Sequence, residues 1–319
     1  MNRMVIMLAV KNNRASRGLF LLMMICSCNV FAIPSESGSL STEHFMIFFS
    51  PGTDTIAKHL QAQAEPALQY VSESIGIAPP GRIFVQIMPR DRKDRTRIDP
   101  KRDWVAGLAI PKKSLIIVMT HHLGTAHAKE IRTILLHEIS HILVGSKNPE
   151  EDSTVCPRWF DEGIAMLIAH EWRVSDAIFL GKVIATDSQR PLREFASRFP
   201  MEEARARIAY LESASFVSYL NHRYGREAIR RIIREIGPGK SFHAIVREIT
   251  GRGLADLEED WLKRLRLKYK WVPLIFGSFS IWTLITVLFL LGYIRKRKRM
   301  QKIKAGWEEE SGYHDPNGF

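Results

Sequence analysis

Cysteine is scarce: the chain has three in 319 residues, Cys26, Cys28 and Cys156. Cys26 and Cys28 lie in the first 32 residues, a stretch that holds Arg3, Lys11, Arg14 and Arg17 and no acidic residue. Behind those basic residues come the short apolar core Gly18–Cys26 and the ending Val30-Phe31-Ala32, the layout of a cleavable secretory signal. Cleavage after Ala32 would leave Cys156 alone in the mature chain, which excludes an internal disulfide. Cys156 then reads as a small buried residue, with a further metal ligand as the lesser alternative. No internal repeat is present. Aromatic residues are missing from the highly charged stretch Pro89–Arg102. The net charge of +12 is also concentrated toward the two ends, so a nucleic-acid partner is not expected.

Charge is absent from Val272–Ile294, a run long enough to cross a bilayer. Trp271 and Tyr293 flank it, and Arg295-Lys-Arg-Lys-Arg299 follows, a stop-transfer pattern that keeps the basic side in the cytoplasm. The expected organisation is a signal peptide over 1–32, an exported domain over 33–271, a transmembrane helix over 272–294 and a basic cytoplasmic tail over 295–319. This places the protein in the inner membrane as a single-pass chain, its large domain facing the periplasm or exterior. The 45% hydrophobic and 25% charged content suits an ordinary globular domain.

Within 33–271, residues 33–43 read as a flexible lead-in. His44–Phe49 is strand-like, Thr55–Ile75 is an amphipathic helix stopped by Gly76, and Arg82–Met88 alternates as a second strand. Trp104–Ile110 and Leu115–Met119 around Pro111–Ser114 suggest a hairpin. The small residues Ala106, Gly107 and Ala109 would let another backbone approach, and a peptide could add along such an edge. From Arg226 onward, isoleucines at helical spacing with arginines between them predict packed helices with solvated faces.

The chain is organised around His137-Glu138-Ile139-Ser140-His141. Ile131, Ile134, Leu135, Ile139, Ile142 and Leu143 predict a buried helix around it, ended by Gly145. Residues four apart share one helix face, so His137 and His141 can grip one metal ion. Glu138 lies close enough to reach a water on that ion. This is the H-E-x-x-H arrangement of zinc hydrolases. In a chain with 11 histidines a lone match could be accidental, but a second carboxylate lies downstream. Glu162 sits inside the apolar helix Pro157–Ala169, and a buried carboxylate needs a cation. Either it is the third metal ligand or it pairs with Arg158, one turn earlier.

The order of an H-E-x-x-H helix, a loop and Pro157-Arg-Trp-Phe-Asp-Glu-Gly-Ile-Ala165 closely resembles the gluzincin metallopeptidases, specifically the bacterial peptidase MA-like group. His44–Phe49, Trp104–Pro111, Tyr210–Gly225 and Gly251–Trp261 also look like segments of these domains, so the resemblance covers about residues 44–268. It implies that Glu162, in the element Trp159, Glu162, Gly163 and Ala165, completes a zinc site with His137 and His141. It implies a catalytic role for Glu138 as general base. It further implies that Tyr210, in a Y-x-x-S/A-x-x-F/L element, donates to the oxyanion, with Tyr219 and Tyr224 as competitors on the same segment.

The expected fold is therefore α+β: a small, mostly antiparallel sheet packed on the H-E-x-x-H helix, then a helical subdomain, plus one C-terminal transmembrane helix. The expected function is a membrane-anchored, zinc-dependent endopeptidase acting on a peptide or protein substrate through a zinc-activated water. Two alternatives stand beside it. One is a catalytically weak peptide-binding or sensor module on the same fold; the other is a zinc amidase acting on a non-peptide amide. The intact Glu138 argues against a pure binder, which needs no general base.

Overall fold

The computed structural model describes residues 38–79, 81–88, 106–120, 128–148, 150–270 and 278–311. The signal sequence expected over 1–32 and the charged stretch 89–102 lie outside these residues.

Five strands form one sheet in the order β1-β2-β3-β5-β4: β1 (Gly38–Ser41), β2 (Phe45–Phe49), β3 (Ile83–Met88), β4 (Gly107–Ile110) and β5 (Leu115–Met119). The sheet is mixed, and this corrects the mostly antiparallel expectation. β2 pairs β3 and β3 pairs β5 in parallel, while the two outer pairings, β1 with β2 and β4 with β5, are antiparallel. The physical reason is α1 (Asp54–Ile75), a 22-residue helix between β2 and β3. A crossover of that length returns the chain to the end it started from, so the next strand runs parallel. A second correction concerns the lead-in. Residues 38–41 are a strand, registered Gly38 to Phe49 through Ser41 to Met46.

The local patterns explain the elements. In β3, Ile83, Val85 and Ile87 are buried while Phe84, Gln86 and Met88 are only partly covered, the period-two signature of one buried face. α1 buries Ala57, Leu60, Ala64, Leu68, Val71 and Ile75 and ends where Gly76 turns left-handed at φ 73°, a conformation glycine adopts without steric cost. α2 (Ala128–Gly145) packs on α1 and on the helix that follows, and touches β4.

Six helices complete the domain: α3 (Arg158–Ala169), α4 (Val174–Ala185), α5 (Glu203–Tyr224), α6 (Arg226–Glu235), α7 (Phe242–Thr250) and α8 (Leu254–Tyr269). A short 3₁₀ turn at Leu192–Phe195 follows Pro191. An aromatic cluster joins these helices. The Trp159 ring lies 5.8, 5.4 and 5.5 Å from those of Phe160, Phe216 and Phe242. Phe216 in turn stands 5.4 Å from Trp261, whose indole N–H donates to Ser215 Oγ at 3.1 Å. Gly163 lets α5 approach α3. A methyl group at 163 would sit 2.6 Å from Val217 Cγ2 and 2.7 Å from the Ser213 carbonyl oxygen, closer than atoms tolerate. Tryptophan and glycine in the Trp-x-x-Glu-Gly element therefore anchor the helix that carries Glu162.

α5 also buries a charged group away from this element. Glu212 is completely buried, and its two oxygens accept only long hydrogen bonds, 3.3 and 3.4 Å, from the Arg190 N–H. Glu258, on α8, accepts the Leu192 N–H at 2.8 Å nearby.

The last described helix, α9 (Ser278–Ser311), corrects the membrane expectation. Among the described residues no helix is long and apolar enough to cross a membrane. Within the described residues, the uncharged part of α9 runs from Ser278 to Ile294, short of the roughly 20 residues a span requires. It includes Ser278, Ser280, Thr283 and Thr286, and continues directly into Arg295–Arg299. Residues 272–277 of the expected span lie outside the described residues. The single-pass inner-membrane location and the membrane as partner are withdrawn with the span.

Candidate active site

α2 presents His137 and His141 one turn apart, with ring centroids 4.8 Å from each other. α3 delivers Glu162 against them. Glu162 Oε2 lies 3.5 Å from His137 Nε2 and 3.3 Å from His141 Nε2. One ligand atom from each of His137, His141 and Glu162 falls within 4.8 Å of the others.

The imidazoles are oriented from behind. His137 Nδ1 is 2.9 Å from Glu171 Oε1, and His141 Nδ1 is 2.8 Å from Asp161 Oδ2. A carboxylate can only accept here, so each Nδ1 donates to its carboxylate and each Nε2 is the nitrogen that faces inward, the orientation of metal-binding histidines. Glu162 is 2% exposed. Its Oε1 accepts from Arg158 Nη2 at 2.8 Å, whereas Oε2 is buried with no hydrogen-bond partner. A buried carboxylate oxygen without a hydrogen-bond partner, facing two inward imidazole nitrogens, fits a cation with nitrogen and oxygen ligands, and zinc matches that donor set.

Without a bound cation, the carboxylates draw protons onto the inward nitrogens. Burial alone would lower the His137 imidazole, but Glu171 and Glu162 carry it up to about 10. Burial opposes protonation of His141 too, and Asp161 and Glu162 still raise it well above the ordinary value. For Glu162, burial pushes upward, yet His141, His137 and Arg158 hold the carboxyl well below its usual range. The carboxylates thus draw positive charge into the pocket.

Glu138 is 6% exposed. Burial raises its carboxyl, against the pull of the two imidazoles. It lies under β4: a methyl group at Gly107 would sit 2.5 Å from Glu138 Oε1 and 2.9 Å from its Cδ and Cγ. Gly107→Ala is accordingly expected to displace the carboxylate. Such misplacement costs on the order of 10²-fold in rate. The mutant should bind one zinc with wild-type affinity and show the loss in kcat; unchanged kcat would show that Glu138 has room to spare.

Tyr210 belongs to the same pocket. Burial and the charges of Glu162 and Glu138 raise its phenol, and Arg158 hydrogen-bonds it and works against that rise. Tyr219 instead faces Asp260, Tyr224, Arg264 and Arg252, and Tyr224 lies in that second group. Of the three candidate tyrosines, Tyr210 is the one that feels the charges of Glu162 and Glu138. Cys156 is buried but stands outside the ligand cluster.

Sequence reasoning overlooked Asp161 and Glu171 as partners of the histidines. Asp161, next to Glu162 on α3, could have been suspected from adjacency. Glu171 carried no signal, because it reaches His137 only through the left-handed turn at His170 that ends α3. The choice between ligand and Arg158 partner for Glu162 dissolves, since its two oxygens face different ways.

Residues 63–266 match a family model described as the Peptidase MA superfamily. The chain is 29% identical over 136 residues to the uncharacterized protein YhcO of Bacillus subtilis, a match covering 41% of this chain and 40% of YhcO. Among solved structures, an M1 zinc metallopeptidase from Deinococcus radiodurans superposes with a TM-score of 0.42 at 18% identity, covering 72% of this chain and 49% of that one. Yeast LTA4 hydrolase in complex with bestatin gives 0.42 at 11%, covering 77% and 39%. The chain thus spans about half or less of the length of each of these proteins.

Proposed function

The chain belongs to the Peptidase MA superfamily, and from that premise we propose that it is a zinc-dependent endopeptidase that hydrolyses peptide bonds with an activated water. One observation carries the reading: the buried, unpartnered Oε2 of Glu162 faces the Nε2 atoms of His137 and His141. These three residues would hold zinc. When bound there, zinc supplies Lewis acidity and brings the pKa of water to roughly 7.

The remaining steps fall to the chain's own groups. Glu138 takes the proton from the attacking water and delivers it to the leaving amine. The Tyr210 hydroxyl donates to the scissile carbonyl oxygen as charge develops on it. Among the described residues β4 pairs with β5 alone, and its outer edge, beside Glu138, suits an extended peptide adding as a further strand. Neither a serine nor a cysteine nucleophile is required.

The test is zinc stoichiometry on the purified full chain, together with cleavage of a peptide library with and without chelator. One zinc per chain and chelator-sensitive cleavage within peptides are expected. For Glu162→Ala, zinc should be lost on dialysis under conditions where the wild type retains it. Equal metal content after dialysis would reduce Glu162 to a partner of Arg158 and remove the ligand set on which the reading stands.

A further inference from the structure

Arg158 stands four residues before Glu162 on α3, and an exposed pair at that spacing contributes only a few tenths of a kcal/mol. This pair differs in kind. The carboxylate is 2% exposed while the arginine side chain is 48% exposed, so one end of Arg158 reaches from solvent into the pocket. There its guanidinium meets two groups of the site, Glu162 Oε1 at 2.8 Å and the Tyr210 hydroxyl. Its position is set from both sides. The Arg158 N–H donates to the Ala196 carbonyl at 2.7 Å. The guanidinium carbon lies 5.8 Å from the centroid of Phe199, whose ring stands edge-on to Tyr210 at 4.9 Å.

We infer that Arg158 is a positioning residue that makes Glu162 a one-oxygen ligand and Tyr210 a hydrogen-bond donor. The inference rests on the zinc peptidase reading above. Its physical basis is that a guanidinium has donors and no acceptor. By occupying Oε1, Arg158 leaves Oε2 as the oxygen turned toward the histidines, so a three-residue ligand set keeps a position for water. By donating to the phenolic oxygen, it makes Tyr210 accept from Arg158 and direct its own proton to a different acceptor, which a substrate carbonyl oxygen supplies. Arg158 thereby joins the ligand carboxylate and the phenol into one unit, although it touches neither water nor substrate in this scheme.

The experiment uses the purified full chain as wild type, Arg158→Gln, Arg158→Lys, Tyr210→Phe and the Arg158→Gln/Tyr210→Phe double variant. Three quantities are read: the zinc dissociation constant in competition with a chromogenic chelator, the visible spectrum of the cobalt(II)-loaded protein, and kcat and KM at saturating zinc. Arg158→Gln is expected to weaken zinc binding by about 10- to 100-fold, as loss of a group orienting a ligand does. It should also change the cobalt spectrum and lower kcat by about 10-fold or more with little change in KM.

Arg158→Lys keeps the charge without the planar fork. It should restore zinc affinity and the cobalt spectrum but not kcat, and it carries the test if the glutamine variant does not fold. In the Tyr210→Phe background, Arg158→Gln should cost much less in kcat than it does alone. Wild-type zinc affinity and cobalt spectrum in Arg158→Gln overturn the clamp on Glu162. Fully additive kcat losses overturn the link to Tyr210. If no variant, wild type included, cleaves peptide while Arg158→Gln still weakens zinc binding, the peptidase reading fails and the clamp stands.

Discussion

Glu138→Gln is expected to lower peptide turnover by about 10²- to 10⁴-fold, the usual contribution of a positioned general base, with zinc binding unchanged. The two halves of this result come from different atoms. The proposed ligands are His137, His141 and Glu162, and none is altered by the substitution. The amide has nearly the shape of the carboxylate, so the tight space beneath Gly107 accepts it without rearrangement. What disappears is an oxygen able to take a proton from water and pass it on. The measurement is kcat on a peptide cleaved by the wild type, alongside zinc stoichiometry from the same preparation. Near wild-type turnover in a fully zinc-loaded mutant would sink the assignment of Glu138. Loss of zinc together with turnover would show instead that Glu138 supports the ligands.

Above pH 5, the folded chain should become less stable as pH rises, and Glu212→Gln should remove much of that slope. Burial pushes the Glu212 carboxyl from its ordinary value of 4.5 up to about 8, against the Arg190 N–H that lowers it and with the charge of Glu258 adding to the rise. The charged groups facing it are Arg190 and Glu194 from the segment before α5 and Glu258 from α8. The sign follows from proton counting. Below pH 4.5 the carboxyl is protonated in both folded and unfolded chains, and its stabilising contribution is fully present. Between 4.5 and about 8 the unfolded chain releases the proton while the folded chain keeps it. Stability then falls by about 1.4 kcal/mol for each pH unit crossed. Above about 8 the contribution is gone.

Glutamine keeps an acceptor oxygen for the Arg190 N–H and cannot ionise. Urea denaturation in chelator at several values between pH 5 and 9 reads the difference between wild type and Glu212→Gln, so the titration of the histidine pocket, common to both, cancels. The mutant should gain on the wild type steadily across that window. Two stability profiles that stay parallel from pH 5 to 9 would mean that Glu212 finds water or a cation in the folded chain.

The parts of this protein that were legible in the sequence are those governed by spacing along one element. His137 and His141 share a face because an α-helix turns every 3.6 residues. The hairpin at Pro111 and the helices beyond Arg226 are likewise local. The membrane span shows where a local signal misleads. An uncharged run counts residues without regard to the helix that carries them, and among the described residues no helix is long and apolar enough to cross a bilayer.

The sequence by itself therefore pointed to the metal helix and to His137, His141 and Glu162, which the fold brings together. Only the tertiary structure decided the parallel pairing of β2, β3 and β5, the partners Asp161 and Glu171 behind the histidines, the nearness of Tyr210 to Glu162 and Glu138, and the two-way contact of Arg158. Each of these depends on how closely separate elements approach through space. That approach is set by the volume of side chains packed between them and by the need to give every buried charge a partner, and neither quantity is a property of any single stretch of chain.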